Sequence, residues 1–197
     1  GRIVSLALTA AGTLGDIGKA GLDISSPGHV AFTADGAARN VLDPGRMEAS
    51  ARFECDFRDM AFLEALLPDS ALRRRIAIPD RIRLRGTAGA DKGAFSAAST
   101  LSTDGGEIAL QGRLDTRSEA YGIELRCDSF PLNSFLPADS LGLLDLALQA
   151  RGSGFDPLRA QTRGNIRLQV DRAEFRGRDF GGVKLNANLE GGQLSGR

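Results

Sequence analysis

Strict alternation of apolar and polar residues is the feature that most constrains this chain. In the stretch from Glu107 to Asp115, Ile108, Leu110 and Leu114 alternate with polar or small residues. A period of two places successive side chains on opposite faces of a β-strand. Strands with one apolar and one polar face are typical of antiparallel sheets that expose one side to water. The pattern therefore predicts antiparallel strands rather than helices.

The same alternation recurs along the chain and is separated by turn residues. It appears at residues 51–57, 81–85, 121–128, 144–151, 165–170 and 183–190. Asp104-Gly105 is a strong hairpin signal, and residues 115–120 and 190–192 have loop composition. The content of twenty-five Gly, ten Phe and no Trp also favours short strands and turns over a helical bundle. We expect an all-β fold with the strands connected as an antiparallel meander.

Two stretches interrupt the alternation with short apolar segments of helical character. The first follows Asp59, a candidate N-cap, and ends at Pro68. The second begins at Pro131 and ends at Pro137. The sequence predicts a short helix in each.

The two interruptions resemble each other and indicate an internal repeat. Cys-Asp occurs at 55–56 and 127–128, Leu-Pro at 67–68 and 136–137, and Asp-Ser at 69–70 and 139–140. The pseudo-repeats cover about 53–115 and 121–189, and repeats of this kind stack to share one continuous apolar face. We expect residues 1–197 to form a single all-β segment. Because the chain begins and ends in strand-like sequence, we expect that segment to belong to a longer chain.

The sequence contains none of the residue patterns that are typical of enzyme active sites. His29 is the only histidine and lies in turn sequence, and there is no Cys-x-x-Cys pair, nucleophile elbow or phosphate-binding loop. The stretch "RGSGFDP" fails the dinucleotide-binding pattern because Pro157 occupies the position of the third glycine. We expect no enzymatic activity, no cofactor and no metal site. The formal net charge of zero gives no support to nucleic-acid binding.

Two residue sets have more than one interpretation from the sequence. Cys55 and Cys127 occupy apolar positions of alternating stretches, where we expect them to be buried as small hydrophobic residues. The sequence leaves open whether they form a disulfide. A basic cluster contains Arg73, Arg74, Arg75, Arg81, Arg83 and Arg85. Its strand residues are predicted on the polar face, where solvation is the ordinary role and contact with lipid phosphates or an acidic partner is the alternative.

The apolar face has to be covered by closure of the sheet, by a second sheet or by a ligand. Its side chains are mostly Leu, Ile, Val and Ala. Such a lining suits acyl chains, and it equally suits the core of an ordinary closed sandwich or barrel.

Three stretches resemble the TamB-type members of the AsmA-like family of periplasmic proteins. They are "LPDSALRRRIAIPDRIRLRG", "FPLNSFLPADSLGLLDLALQARGSGFDP" and "AEFRGRDFGGVKLNANLEGGQLSGR". The family repeats Leu-Pro-x-Asp-Ser interruptions and a closing phrase, which here contains Phe180, Val183, Leu185, Ala187, Leu189, Leu194 and Gly196. The resemblance covers residues 47–197. Residues 1–46 resemble the family only in their general residue pattern.

The resemblance implies an elongated, taco-shaped (open, U-shaped) sheet with a continuous hydrophobic groove and short helical interruptions at its edge. It further implies a role in outer-membrane biogenesis, in which phospholipid acyl chains are shielded between the inner and outer membranes. The implied location is the periplasm, with an N-terminal inner-membrane anchor outside this segment. The implied partners are phospholipid and an outer-membrane barrel protein of the TamA type, which would contact regions outside the segment.

The predicted groove residues are those with apolar side chains on the dry face of the alternating strands. They are Ile108, Leu110, Leu114, Tyr121, Ile123, Leu125, Leu144, Leu146, Leu148, Ile166, Leu168, Val183 and Leu185. The alternative function is a chaperone or scaffold module that aids outer-membrane protein assembly by β-strand augmentation at its sheet edges.

Overall fold

A computed structural model describes residues 3–13, 15–59, 77, 79–137, 140–156 and 158–196. Within these residues the chain is all-β and forms a single antiparallel sheet of 13 strands. The sheet is open, and the described residues contain no α-helix. The predicted fold class is confirmed at this level, while a taco-shaped curl and a groove are not confirmed.

The strands follow one another at short intervals. Their bounds are β1 Ser5–Gly12, β2 Asp16–Ser26, β3 Val30–Arg39, β4 Glu48–Arg58, β5 Arg81–Asp91, β6 Ala94–Thr103, β7 Glu107–Asp115, β8 Ala120–Pro131, β9 Leu141–Ser153, β10 Arg163–Phe175, β11 Arg178–Phe180, β12 Val183–Glu190 and β13 Gln193–Gly196. Each strand from β1 to β10 pairs with the next, and β12 and β13 continue the sheet. The predicted meander is therefore confirmed.

Strand β10 carries two short partners along one edge. β12 pairs with residues 163–170 of β10, and β11 pairs with residues 173–175. Asp171 is skipped in the pairing of β10 with β9, which marks a β-bulge between the two sections.

Several glycines lie in hairpin turns. Residues 92–93, 176–177 and 191–192 each place two consecutive residues at positive φ, as type I′ turns require. At the Asp104-Gly105 signal, the amide of Thr103 donates to the carbonyl of Gly106 over 2.9 Å and joins β6 to β7. The hairpin predicted there is confirmed.

The second interruption contains less helix than the sequence predicts. Strand β8 continues to Pro131, and a 3-10 turn follows at Leu132–Ser134. Two prolines six residues apart leave too few residues for a stable α-helix, since helix nucleation is costly. The helix predicted after Asp59 falls on residues 60–68, which lie outside the described residues.

A β-bulge bends β8 just before this turn. The register of β8 with β9 shifts between Cys127 and Phe130. Ser129 has a positive φ of 46°, and its amide donates to Asp145 Oδ1 over 2.5 Å. The Asp145 carboxylate therefore supports the extra residue of the bulge, and the shift keeps Phe130 on the same face as Cys127.

Candidate functional site

Leucine side chains form a continuous row across the second half of the sheet. The register pairs Leu110 with Leu125, Leu125 with Leu148, Leu148 with Leu168, and Leu168 with Leu185. Directly opposed residues of antiparallel strands project from the same face and contact each other. These five strands therefore place their leucines in one line perpendicular to the strand direction.

The other predicted groove residues lie in parallel rows on the same face. One row joins Ile108, Cys127, Leu146, Val170 and Val183. A second joins Ile123 to Ile166 through Ala150, and a third joins Leu114 to Tyr121. Leu144 lies two residues before Leu146 on β9 and pairs with Phe130. The structure brings all of the predicted groove residues to one face, and their binding of lipid stays a prediction.

The apolar face continues over the first half of the sheet, where the sequence analysis named no groove residues. Its rows extend through Leu22, Ile24, Phe32, Phe53, Cys55, Leu84 and Leu101. The same alternation of apolar and polar residues predicts these positions, and it is clear in β4 and β5. It is weaker in β2 and β3, where Gly and Ala occupy many of the apolar positions. We call the complete surface the apolar face.

Side chains of the apolar face are only partly covered. Leu110, Ile123, Ile166 and Leu185 are 43–45% exposed. Among the described residues, the buried hydrophobic side chains are Cys55, Cys127 and Phe130. An ordinary sandwich core buries such residues between two sheets, whereas the described residues form one sheet. The closed-sandwich alternative is therefore not what the structure contains.

The 3-10 turn packs against one margin of the apolar face. The Phe130 and Phe135 rings stack with their centroids 5.2 Å apart, and Pro131 is buried beside them. The amide of Ala77 donates to the carbonyl of Phe135 over 2.8 Å. The segments that follow β8 and precede β5 thus meet at this margin.

Cys55 and Cys127 are free thiols that lie in one row of the apolar face. The row runs from Cys55 through Leu84, Leu101 and Ile108 to Cys127. Four inter-strand spacings of about 4.8 Å separate the two cysteines along the sheet, far beyond the reach of a disulfide. Burial raises the pKa of both thiols. The predicted burial is confirmed, and the two cysteines do not pair.

The opposite face is polar and carries the strand part of the basic cluster. Arg81, Arg83 and Arg85 are exposed there, as predicted, and Arg73, Arg74 and Arg75 lie outside the described residues. Asp56 Oδ2 lies 2.9 Å from Arg58, 3.5 Å from Arg83 and 3.7 Å from Arg81. The hydrogen bond from Arg58, supported by the other two guanidinium groups, lowers the Asp56 pKa to about 2. The single Asp56 carboxylate thus balances only part of the charge of the three guanidinium groups around it.

His29 lies in the turn between β2 and β3, where the sequence predicts it. Its Nδ1 is 3.6 Å from Asp59 Oδ2 and 3.3 Å from the Asp59 carbonyl oxygen. Across the described part of the chain, no three His, Cys, Asp or Glu side chains are grouped as metal ligands. No helix in the described part is long and apolar enough to cross a membrane.

Comparisons with known proteins assign this chain to no family. No protein-family model, no curated protein and no solved structure matches the chain. The class of protein is therefore defined by the fold alone, as an open antiparallel β-meander with one apolar and one polar face.

Proposed function

We propose that this chain shields phospholipid acyl chains on its apolar face, as a segment of a lipid conduit between two membranes. The observation that carries the proposal is the register, which aligns apolar side chains of successive strands into rows in which Leu110, Ile123, Ile166 and Leu185 stay 43–45% exposed. Large exposed apolar surfaces mark sites that bind a partner or a lipid.

The direction of the rows supports a conduit rather than a closed pocket. The rows run across the strands, along the long dimension of the sheet. Twelve strands in sequence at about 4.8 Å per spacing give a path of roughly 50 Å. Aliphatic side chains repeat along this path without a specific polar anchor, which suits a ligand that moves.

The aromatic cluster at one margin of the apolar face is placed to form one edge of this path. Phe130 pairs with Leu144 on the side of the apolar rows, and its ring stacks on Phe135 where the chain leaves β8. In the proposed function they limit the lateral spread of acyl chains. The periplasmic location, the inner-membrane tether and the barrel partner of the TamA type rest on the sequence resemblance and are part of the proposal.

Photo-crosslinking tests the proposal at two neighbouring residues of β9. Leu148 lies on the apolar face, and Gln149 is exposed on the polar face. A photoreactive amino acid at position 148 should give phospholipid adducts, and the same probe at position 149 should give few. Equal labelling at both positions, or none in a folded protein, would contradict a lipid-bearing face.

A second candidate function is a scaffold for unfolded strands, and the open edges of the sheet favour it. β1 and β13 are the outermost strands, and every residue of β1 is exposed. An unpaired strand edge recruits extended peptides through backbone hydrogen bonds. This function predicts that Ala7→Pro in β1 removes peptide binding and leaves lipid adducts at position 148 unchanged. Lipid shielding predicts no dependence on the β1 edge.

A further inference from the structure

A pocket lined in part by charged side chains lies on the face opposite the apolar rows. It has a volume of about 610 Å³ and spans β5 to β9. Its polar lining side chains are Thr87, Ser96, Gln111, Arg113, Glu124 and Arg151. Because the sheet separates the two faces, a lipid whose acyl chains lie on the apolar face cannot place its headgroup here. Any ligand of this pocket is a separate molecule, and the inference does not rest on the proposed function.

Two arginines converge over a glycine in the floor of this pocket. Arg113, Gly122 and Arg151 are direct neighbours in the register of β7, β8 and β9. An ideal Cβ at Gly122 would lie 3.5 Å from Arg113 Cγ and 3.9 Å from Arg151 Cγ. The two side chains therefore flank the position where Gly122 has no side chain of its own, and space for a ligand remains between them.

The two arginines differ in how their charge is balanced. Arg151 is 2.6 Å from Glu124 Oε1 and is held by that ion pair. Arg113 has no carboxylate within ion-pair distance among the residues that the structure describes. The nearby Asp115 is engaged elsewhere, since its Oδ1 accepts the amides of Arg117 and Ser118 at 2.9 and 3.1 Å. Within the described part of the chain, the pocket thus holds one guanidinium group without an ion-pair partner.

We propose that this pocket binds the phosphate group of a hydroxylated organic phosphate. Arg113 provides the charge for the phosphate, because a guanidinium group matches two phosphate oxygens with parallel hydrogen bonds. Gln111, Ser96 and the Glu124 carboxylate provide donors and acceptors for neighbouring hydroxyl groups. The ligand is either a soluble phosphate ester or the headgroup of a phospholipid in an apposed membrane.

Titration of the purified chain with sn-glycerol 3-phosphate, followed by calorimetry and two-dimensional NMR, tests the site. We expect saturable binding, with the Gly122 amide among the resonances that shift. Arg113→Gln should weaken binding about tenfold or more, because it removes a charged hydrogen-bond donor. Arg178→Gln is the matched control, since Arg178 is exposed on β11 and has no carboxylate partner among the described residues. It should change the affinity less than twofold.

Sedimentation with vesicles separates the two sources of the phosphate. Vesicles of phosphatidylcholine with and without phosphatidylglycerol are compared for the wild type and the Arg113→Gln variant. Binding of free glycerol 3-phosphate assigns a soluble ester, and Arg113-dependent binding only to phosphatidylglycerol vesicles assigns a membrane headgroup. The absence of both, binding of glycerol 3-phosphate with an unshifted Gly122 amide, or equal losses in the Arg113 and Arg178 variants would overturn the proposal.

Discussion

Tyr121 on β8 lies across Gly152 on β9. An ideal Cβ built at Gly152 would come 2.5 Å from the Tyr121 hydroxyl oxygen and 2.6 Å from its Cζ. The two residues are direct partners in the register. Phe53 covers Gly86 in the same way, with its Cζ 2.5 Å from an ideal Cβ at that glycine. In both pairs an aromatic ring on the apolar face occupies the space above a glycine of the adjacent strand, an arrangement that compensates for the glycine in the strand.

A methyl group at Gly152 is expected to destabilise the sheet, whereas one at Gly112 is not. Gly152→Ala would collide with Tyr121 and with the carbonyl of Arg163, so it should lower the free energy of unfolding by about 1–3 kcal/mol. At Gly112 no atom lies within 4 Å of an ideal Cβ. Gly112→Ala should be neutral, or stabilising by up to about 1 kcal/mol. Urea unfolding of both variants checks the difference, and equal destabilisation would contradict the Tyr121–Gly152 contact.

The faces and most strand positions follow from the sequence because a period of two is a local signal. The predicted segment 107–115 coincides with β7, and the predicted segment 183–190 coincides with β12. Hairpin signals set the order of the strands, and the register follows once each apolar set has to share one face. The rows of the candidate site could therefore be predicted from the sequence.

Features that depend on contacts between residues distant in the chain could not be predicted from the sequence. The bulge at Ser129 depends on Asp145, sixteen residues later in the chain. The covering of Gly152 by Tyr121 and the pocket around Gly122 depend on which residues become neighbours across strands. Alternation defines the two faces of a sheet and does not define its curvature, so the predicted taco shape came from the family resemblance alone.

Both cysteines should resist thiol reagents as long as the sheet is folded. Cys55 and Cys127 are 3% and 5% exposed, and burial raises their pKa values. Little thiolate is then present at neutral pH, and the thiolate is the reactive form. We expect modification by 5,5′-dithiobis-(2-nitrobenzoic acid) to be slow in buffer and complete in urea. A disulfide that closes within one chain under mild oxidation would contradict the distance between the two strands.

Asp56 should make folding stability depend on pH in the acid range. Its folded pKa is about 2, below the ordinary value of 3.8. The carboxylate therefore contributes stability that is complete above about pH 4 and is lost as the pH falls through about 2. Urea unfolding of the wild type and Asp56→Asn between pH 2 and pH 5 measures this contribution. The difference in free energy of unfolding should shrink as the pH falls, and a constant difference would mean that the three arginines do not act on this carboxylate.

A negative charge on the apolar face should abolish lipid binding without preventing folding. Leu146 lies between Cys127 and Val170 in its row, and a carboxylate there would meet acyl chains without a partner. Leu146→Glu should lower the capture of a fluorescent phospholipid by the purified chain more than tenfold. Leu125→Ala should have an effect below about twofold, because the neighbouring leucines maintain the row.

Ala147→Glu is the control for the charge itself. Ala147 is the next residue of β9, is exposed on the polar face and pairs with Arg126 in the register. The added carboxylate is then solvated and lies beside a guanidinium group, so phospholipid capture should stay at the wild-type level. If both glutamate variants remain folded and capture phospholipid equally well, acyl chains do not lie on the apolar face. In that case the open edges of β1 and β13 are the remaining candidate surfaces for the function.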